Sequence, residues 1–473
     1  MTLLLAQNAH HLKLSQLFIY LIGSLGGLLF GFDTGIISGA SPLIESDFHL
    51  PVGKTSLVTS SVLIGSAVGA VCIGSLSNRY GRKKLLQFSA ILFLIGSGCS
   101  MFAVGFVSLV SARLLLGFAV GAASALTPAY LVELADTKHR GSLVTLFQLM
   151  IAFGFLLAYC ANIGLLNVDW LGLHSWRWML GSALIPSLLL LLGSLILPES
   201  PRYLVKEGHP ELARHVLRTL RANTGEDPDA ELRMMIKFNH RKKGNRRTLF
   251  KIGLPALLVA VGLMFFQQFI GINAVLYFLP QIFIKAFKFS TSSSIWISVG
   301  VGVVNLISTV IAYRIIDDYN RNSLLIMGSI VVAVTLTLLA GMNYLFSISA
   351  IVVSTLILIV IYIVGYDLSW GPLAWVMINE IMPFRMRGVG ASIASATNWI
   401  CDFIVSQSLL TLIALSGNNI CGPFAIYAIM AFLSIYFVIK WVPETRGRSL
   451  EQIETGLIHN FHQKKSTVKS TSK

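Results

Sequence analysis

The sequence predicts an all-α membrane protein of twelve transmembrane helices in two six-helix bundles, and three observations carry that expectation. The composition is 55% hydrophobic and 12% charged over 473 residues, with a mean hydropathy of +0.75, which leaves too little polar surface for a soluble chain. Apolar runs of about 20 residues, long enough to cross about 30 Å of hydrocarbon, recur along the whole length. Basic residues gather between those runs on alternate sides. The net charge of +15 therefore reads as a topology signal. Nucleic acid is excluded, because the Lys and Arg residues form no patch interleaved with aromatics.

Taken in order, the runs lie near 14–38, 55–77, 85–106, 108–133, 142–165, 176–197, 252–279, 292–316, 323–345, 349–379, 388–415 and 421–442. Hydrocarbon offers no water to unpaired backbone groups, so each run is expected to be a helix, and the runs are too long and too uniformly apolar for barrel strands. No small-residue cleavage site follows the first run, which is expected to stay as a helix. Cys72, Cys99, Cys160 and Cys401 fall inside runs and Cys421 opens one; without framework spacing, neither a disulfide nor a metal site is expected. The chain divides into a first bundle over 1–198, a linker over 199–251, a second bundle over 252–442 and a tail over 443–473. In the linker, Leu212, Val216, Leu217 and Leu220 recur at helical spacing, which predicts short amphipathic helices on the cytoplasmic face.

Starting the chain in the cytoplasm and alternating through twelve crossings puts thirty-one of the thirty-six Lys and Arg residues inside and four outside, with Arg113 within the membrane. Both termini are expected to be cytoplasmic, in a plasma membrane such as the inner membrane of a bacterium. The halves repeat at an offset near 240 to 247: Tyr80-Gly81-Arg82 matches Tyr319-Asn320-Arg321, Glu133 and Arg140 match Glu380 and Arg387, and Pro198-Glu199 matches Pro443-Glu444. A duplicated bundle places its substrate path between the halves.

Asp33 and Arg113 both lie inside apolar runs. A charge at the bilayer centre costs roughly 3 kcal/mol on insertion scales, so a pair of opposite sign kept there is read as functional.

Gly31-Phe32-Asp33-Thr34-Gly35, Asn78-Arg79-Tyr80-Gly81-Arg82-Lys83, Pro198-Glu199-Ser200-Pro201-Arg202, Gln267-Gln268-Phe269-Ile270-Gly271-Ile272-Asn273 and Pro443-Glu444-Thr445-Arg446-Gly447 together resemble the sugar porter family of the major facilitator superfamily. The xylose-type bacterial sugar/proton symporters are the branch it resembles most. The resemblance implies the major facilitator fold and proton-coupled symport of a monosaccharide, pentose or hexose, by alternating access, with no cofactor. It implies a monomer whose partners are the sugar, the proton and the bilayer.

A sugar needs neutral donors and acceptors for its hydroxyls and an aromatic face for its C–H surface. Gln267, Gln268, Asn273 and Tyr277 on the seventh helix offer these, although membrane amides also join helices to one another. Gln148, Asn305, Gly371, Trp375, Asn398 and Trp399 stand at positions that contact sugar in the family. Phe155 replaces the Gln of the xylose symporters. Asp33, with Arg113, matches the acid of the symporting branch, where the uniporters carry an amide. Asp367 stands where the uniporters tend to have a carboxylate and is read as tuning gating or proton affinity; Asp402 is assigned no role. Arg82, Glu133, Arg140, Arg321, Glu380 and Arg387 are expected to form a cytoplasmic latch of ion pairs across the halves. Against transport stand an enzyme, for which no catalytic motif is present, and a sugar sensor, for which the tail is short. Within transport the alternative is a sugar or inositol-type facilitator without proton coupling.

Overall fold

A computed structural model of the chain describes residues 16–135, 140–222, 226–239, 246–316, 318–342, 350–382, 387–417 and 419–446. Among these residues are twelve helices long and apolar enough to cross a membrane: Leu17–Asp47, Val52–Gly74, Arg82–Met101, Phe106–Leu134, Thr145–Leu165, Ser175–Ile196, Gly253–Phe287, Thr291–Ile315, Arg321–Ala340, Ile351–Ile378, Val389–Leu415 and Cys421–Trp441. They are called here the first to the twelfth span.

The largest departure from the expected boundaries is the first span, which runs to Asp47 and not to about residue 38. Hydropathy marks where a helix leaves hydrocarbon, not where it ends. The added turns are held by polar partners: Gln281 Nε2 donates to Ser41 Oγ at 2.9 Å, Lys285 Nζ pairs with Glu45 at 3.0 Å, and Trp176 Nε1 donates to Asp47 at 2.9 Å.

The duplication read in the sequence is repeated in the packing. In the first half the first span packs on the fifth, the second on the fourth and the third on the sixth; in the second half the seventh packs on the eleventh, the eighth on the tenth and the ninth on the twelfth. The halves meet where the second span lies along the eleventh and its repeat mate, the eighth, along the fifth. Close approach is built from small residues. A Cβ on Gly31 would stand 1.9 Å from the carbonyl oxygen of Ile151, so the backbones of the first and fifth spans touch there. Side chains turned away from the bundle, such as Ile185, Leu189, Leu192, Ile429 and Phe432, are exposed, as lipid-facing positions must be.

Three short helices, Pro201–Lys206, Pro210–Arg221 and Pro228–Asn239, join the halves. Each starts at a proline, whose missing N–H costs nothing at a first helical position. Their own small core is Val205, Ala213, Leu217 and Leu232; Leu220 is buried as its spacing predicts, whereas Leu212 remains exposed. Arg221 fastens this unit to the first half. Its guanidinium donates to the carbonyls of Leu134 at 2.9 Å and Ala135 at 2.8 Å, where the fourth span ends, and pairs with Glu231 at 2.9 Å.

Candidate functional site

Interruptions in two of the spans, the seventh and the tenth, create the site. The seventh breaks at Gly271, whose φ of +88° suits glycine alone; a Cβ there would also run into the Tyr427 ring at 2.4 Å. The carbonyl of Ile270 freed by the break accepts a 2.6 Å hydrogen bond from the Tyr362 hydroxyl, which meets the demand that backbone groups be satisfied away from water. The tenth breaks between the helices Ile351–Asp367 and Trp370–Ile381. Ser369 Oγ donates back to the Gly365 carbonyl there at 2.6 Å.

Between the halves lies a cavity whose polar wall is Gln148, Gln267, Gln268, Asn273, Asn305, Asp367 and Asn398 and whose apolar wall is Phe30, Ile151, Phe155, Ile272, Leu276, Tyr366 and Trp375. Three hydrogen-bonded sets hold the polar wall in place. Asn398 Nδ2 donates to Gln267 Oε1 at 2.7 Å, while Gln267 Nε2 donates to the carbonyls of Trp370 at 3.1 Å and Gly371 at 3.2 Å, locking the seventh span to the break in the tenth. Asn273 Nδ2 donates to Gln268 Oε1 at 2.9 Å and to Asp402 Oδ2 at 3.0 Å. Asn305 Nδ2 donates to both oxygens of Asp367, at 3.1 and 2.9 Å, and Ser308 Oγ adds a third bond at 2.6 Å.

Among the residues expected to bind, Gln148, Gln267, Gln268, Asn273, Asn305, Trp375 and Asn398 therefore share one cavity, together with Asp367 and Phe155, which were expected to tune it. Tyr277, Gly371 and Trp399 stand behind its wall. Tyr277 turns its hydroxyl to Asp402 at 2.8 Å, Gly371 contributes the carbonyl that holds Gln267, and Trp399 is buried with its ring edge-on to Phe30 at 5.0 Å. The seventh span is not the one continuous helix that its apolar run predicts; the turn at Gly271 brings Gln268 and Asn273 into direct contact. Asp402, given no role on sequence, is the centre of a hydrogen-bonded cluster. Of the apolar wall, Phe155 and Trp375 were expected, whereas Phe30, Ile151, Ile272, Leu276 and Tyr366 were not, although Ile151 follows Gln148 at helical spacing.

Asp33 and Arg113 are buried at 3% and 0% exposure and form a hydrogen-bonded ion pair through Asp33 Oδ1 and Arg113 Nη1. Asp33 Oδ2 and Arg113 Nε and Nη2 have no partner among the described residues. The pair lies outside the cavity wall.

The latch differs from its expected form. Arg82 pairs with Glu133 at 2.8 Å and Arg321 with Glu380 at 3.9 Å, and both pairs run within a half, not across the halves. The reason is the partner that the Pro-Glu elements supply. Glu199 Oε1 accepts from the backbone N–H groups of Arg82 at 2.9 Å and Lys83 at 3.3 Å, and Ser200 Oγ bonds Glu133. In the second half Glu444 accepts from the N–H groups of Arg321 at 3.1 Å and Asn322 at 3.0 Å, and Thr445 Oγ1 donates to Glu380 at 2.6 Å. Each acid caps the free N–H groups at the start of the third or ninth span, and each arginine is thereby drawn to the acid of its own half. The side chains of Arg140 and Arg387, and the tail beyond 446, lie outside the described residues.

The profile of the family described as sugar (and other) transporter matches residues 19–457. A D-xylose transporter of Levilactobacillus brevis is 42% identical over 94% of this chain and 96% of its own length. The galactose-proton symporter of Escherichia coli K12 is 38% identical over 94% and 95%. The solved structure of a major facilitator superfamily proton:xylose symporter bound to 6-bromo-6-deoxy-D-glucose superposes with a TM-score of 0.81 at 33% identity, covering 93% of this chain and 98% of that one. Twelve spans, two broken helices around an amide-lined cavity and these likenesses over nearly the full length agree: the chain belongs to the sugar transporter family of the major facilitator superfamily.

Proposed function

We propose that this protein is a secondary active transporter that carries a monosaccharide together with a proton by alternating access. The observation that carries the reading is the buried Asp33–Arg113 pair, in the same bundle as a cavity walled by neutral amides and aromatic rings. The relatives named above, a D-xylose transporter, a galactose-proton symporter and a proton:xylose symporter, support it. Both termini are assigned to the cytoplasm on the charge distribution, and one chain acts alone because a single copy encloses the cavity.

A proton arriving from outside binds the Asp33 carboxylate and weakens its tie to Arg113 between the first and fourth spans. The halves then exchange which end of the path is open, with the sugar held by Gln148, Gln267, Gln268, Asn273, Asn305, Asn398 and Trp375. Release of sugar and proton to the cytoplasm restores the pair. The driving force suffices. One charge moving through about 100 mV releases roughly 2.3 kcal/mol, enough for roughly fifty-fold accumulation. Asp367 shapes the sugar site by fixing the amide of Asn305. The Arg82–Glu133 and Arg321–Glu380 groups stiffen the cytoplasmic end of each half.

The test is uptake by the purified protein in liposomes with an imposed pH gradient, screened over D-xylose, D-glucose, D-galactose, L-arabinose and myo-inositol. Accumulation of one sugar that a protonophore abolishes is expected. Uptake that only equilibrates, indifferent to pH gradient and voltage, would show a facilitator.

A further inference from the structure

The acids buried in this bundle outnumber the bases beside them. Asp33 has Arg113, but Asp402 in the eleventh span is fully buried and meets only neutral donors: Asn273 Nδ2 at 3.0 Å, the Tyr277 hydroxyl at 2.8 Å and the Ser406 hydroxyl at 3.0 Å. Two of the three come from the helix Ile272–Phe287, just past the break at Gly271. The titratable groups that face Asp402 are Tyr277, Tyr366 and Tyr427 of the seventh, tenth and twelfth spans and its neighbour Cys401, all uncharged near neutral pH in their ordinary state. Tyr366 also faces Asp367, and Tyr277 also faces Asp33. The second span, packed along the eleventh, carries only Cys72 between Lys54 and Arg79. No Lys, Arg or His among the described residues pairs with Asp402.

Two effects of opposite sign act on this carboxyl. Burial away from water penalises its charged form, and three donors converging on it favour that form. The surroundings thus give this carboxyl one reason to hold a proton and another to release it. Their hydrogen-bonding consequences differ. An ionised carboxylate only accepts, so Asn273 has to turn its NH2 toward it and leaves its carbonyl oxygen for the cavity; a protonated one carries a donor of its own and frees the Asn273 amide to turn. The Tyr277 hydroxyl that bonds Asp402 also meets Thr34, the residue next to Asp33. Tyr277 thus links the Asp402 cluster, which holds Asn273 of the cavity wall, to Thr34 of the first span, one residue along the chain from the ion pair.

We propose that Asp402 is a second proton-binding group of this transporter, whose protonation state decides whether Asn273 offers the sugar an acceptor or a donor and which communicates with Asp33 through Tyr277. The inference rests on proton-coupled symport. Sugar affinity is measured against pH by counterflow in liposomes, using the sugar selected by the uptake screen, for the wild type, Asp402→Asn and Tyr277→Phe. Asn at 402 keeps an acceptor for Asn273 and Tyr277, so counterflow should persist, while the change of affinity with pH should shrink to less than half of the wild-type change. Tyr277→Phe leaves the carboxyl and cuts its link toward Thr34; it should retain counterflow and lose most of the pH-driven accumulation.

An Asp402→Asn profile parallel to that of the wild type, even at lower affinity throughout, assigns Asp402 a purely structural role and overturns the proposal. If that variant does not fold, unchanged accumulation and pH profile in Tyr277→Phe overturn it instead. A wild type indifferent to protonophore sinks the symport reading itself; a sensitive wild type beside an unaltered Asp402→Asn sinks this inference alone.

Discussion

Replacing Asp33 by Asn removes the negative charge beside Arg113 with little change in side-chain shape. If Asp33 is the proton site, the variant has no group to protonate, and the roughly fifty-fold accumulation available from about 100 mV should fall to about onefold. Exchange of labelled for unlabelled sugar needs no net proton movement and should continue, because none of the cavity-wall residues is touched. A second magnitude comes from what is left behind. Arg113 is fully buried and already has Nε and Nη2 without partners, and removing one member of a buried pair costs about 3–5 kcal/mol. The amount of folded Asp33→Asn protein should therefore drop, so transport is to be normalised to carrier recovered after size exclusion. Combining Asp33→Asn with Arg113→Met removes the stranded charge and should restore the yield but not the accumulation. The assay is uptake into liposomes carrying an imposed pH gradient and potential. Wild-type accumulation by Asp33→Asn would refute the role given to this carboxyl.

Gln267→Ala strands the carbonyl of Gly371 and the amide of Asn398, at about 1–3 kcal/mol; sugar affinity measured by counterflow should weaken by about tenfold or more. Gly31→Val places a Cβ 1.9 Å from the Ile151 carbonyl oxygen and should cost about 3 kcal/mol or more, seen as loss of a monodisperse protein peak, while Gly98→Ala, with nothing within 4 Å, should behave as wild type. Glu199→Gln and Glu444→Gln each weaken an acceptor of several backbone N–H groups by about 1 kcal/mol, which lowers the melting temperature in detergent by a few degrees and by similar amounts for both. Lys285→Ala removes the pair with Glu45 between the first and seventh spans. At about 1 kcal/mol, outside labelling of a Leu276→Cys reporter in the cavity should rise about fivefold.

Much of the site was legible because its chemistry is unusual for hydrocarbon. Amides such as Gln267, Gln268, Asn273, Asn305 and Asn398 stand out in apolar runs, and they do share one cavity. What periodicity could not show is which way a helix turns after a break. Reading the seventh span as continuous left Tyr277 on the cavity face; with the turn at Gly271 it points to Asp402. Trp399 illustrates the same limit, since only the position of Phe30, more than 360 residues earlier in the chain, decides that the indole backs the wall and does not form it. For Arg82, Glu133, Arg321 and Glu380 the pairing also depended on tertiary structure. Glu199 and Glu444 capture the starts of the third and ninth spans, and that capture holds Arg82 and Arg321 inside their own halves.

The sequence by itself determined the solvent this chain folds in, the number of its crossings and its internal duplication. Each of these is a sum of local transfer free energies or a repetition of them along the chain, and such sums need no knowledge of neighbours. Tertiary structure alone decided where the first helix stops, how the broken seventh and tenth spans interlock through Gln267, and that Asp402 is held by Asn273 and Tyr277. Those outcomes depend on the rotation of one helix against another, which packing sets across distances in sequence that no local pattern spans.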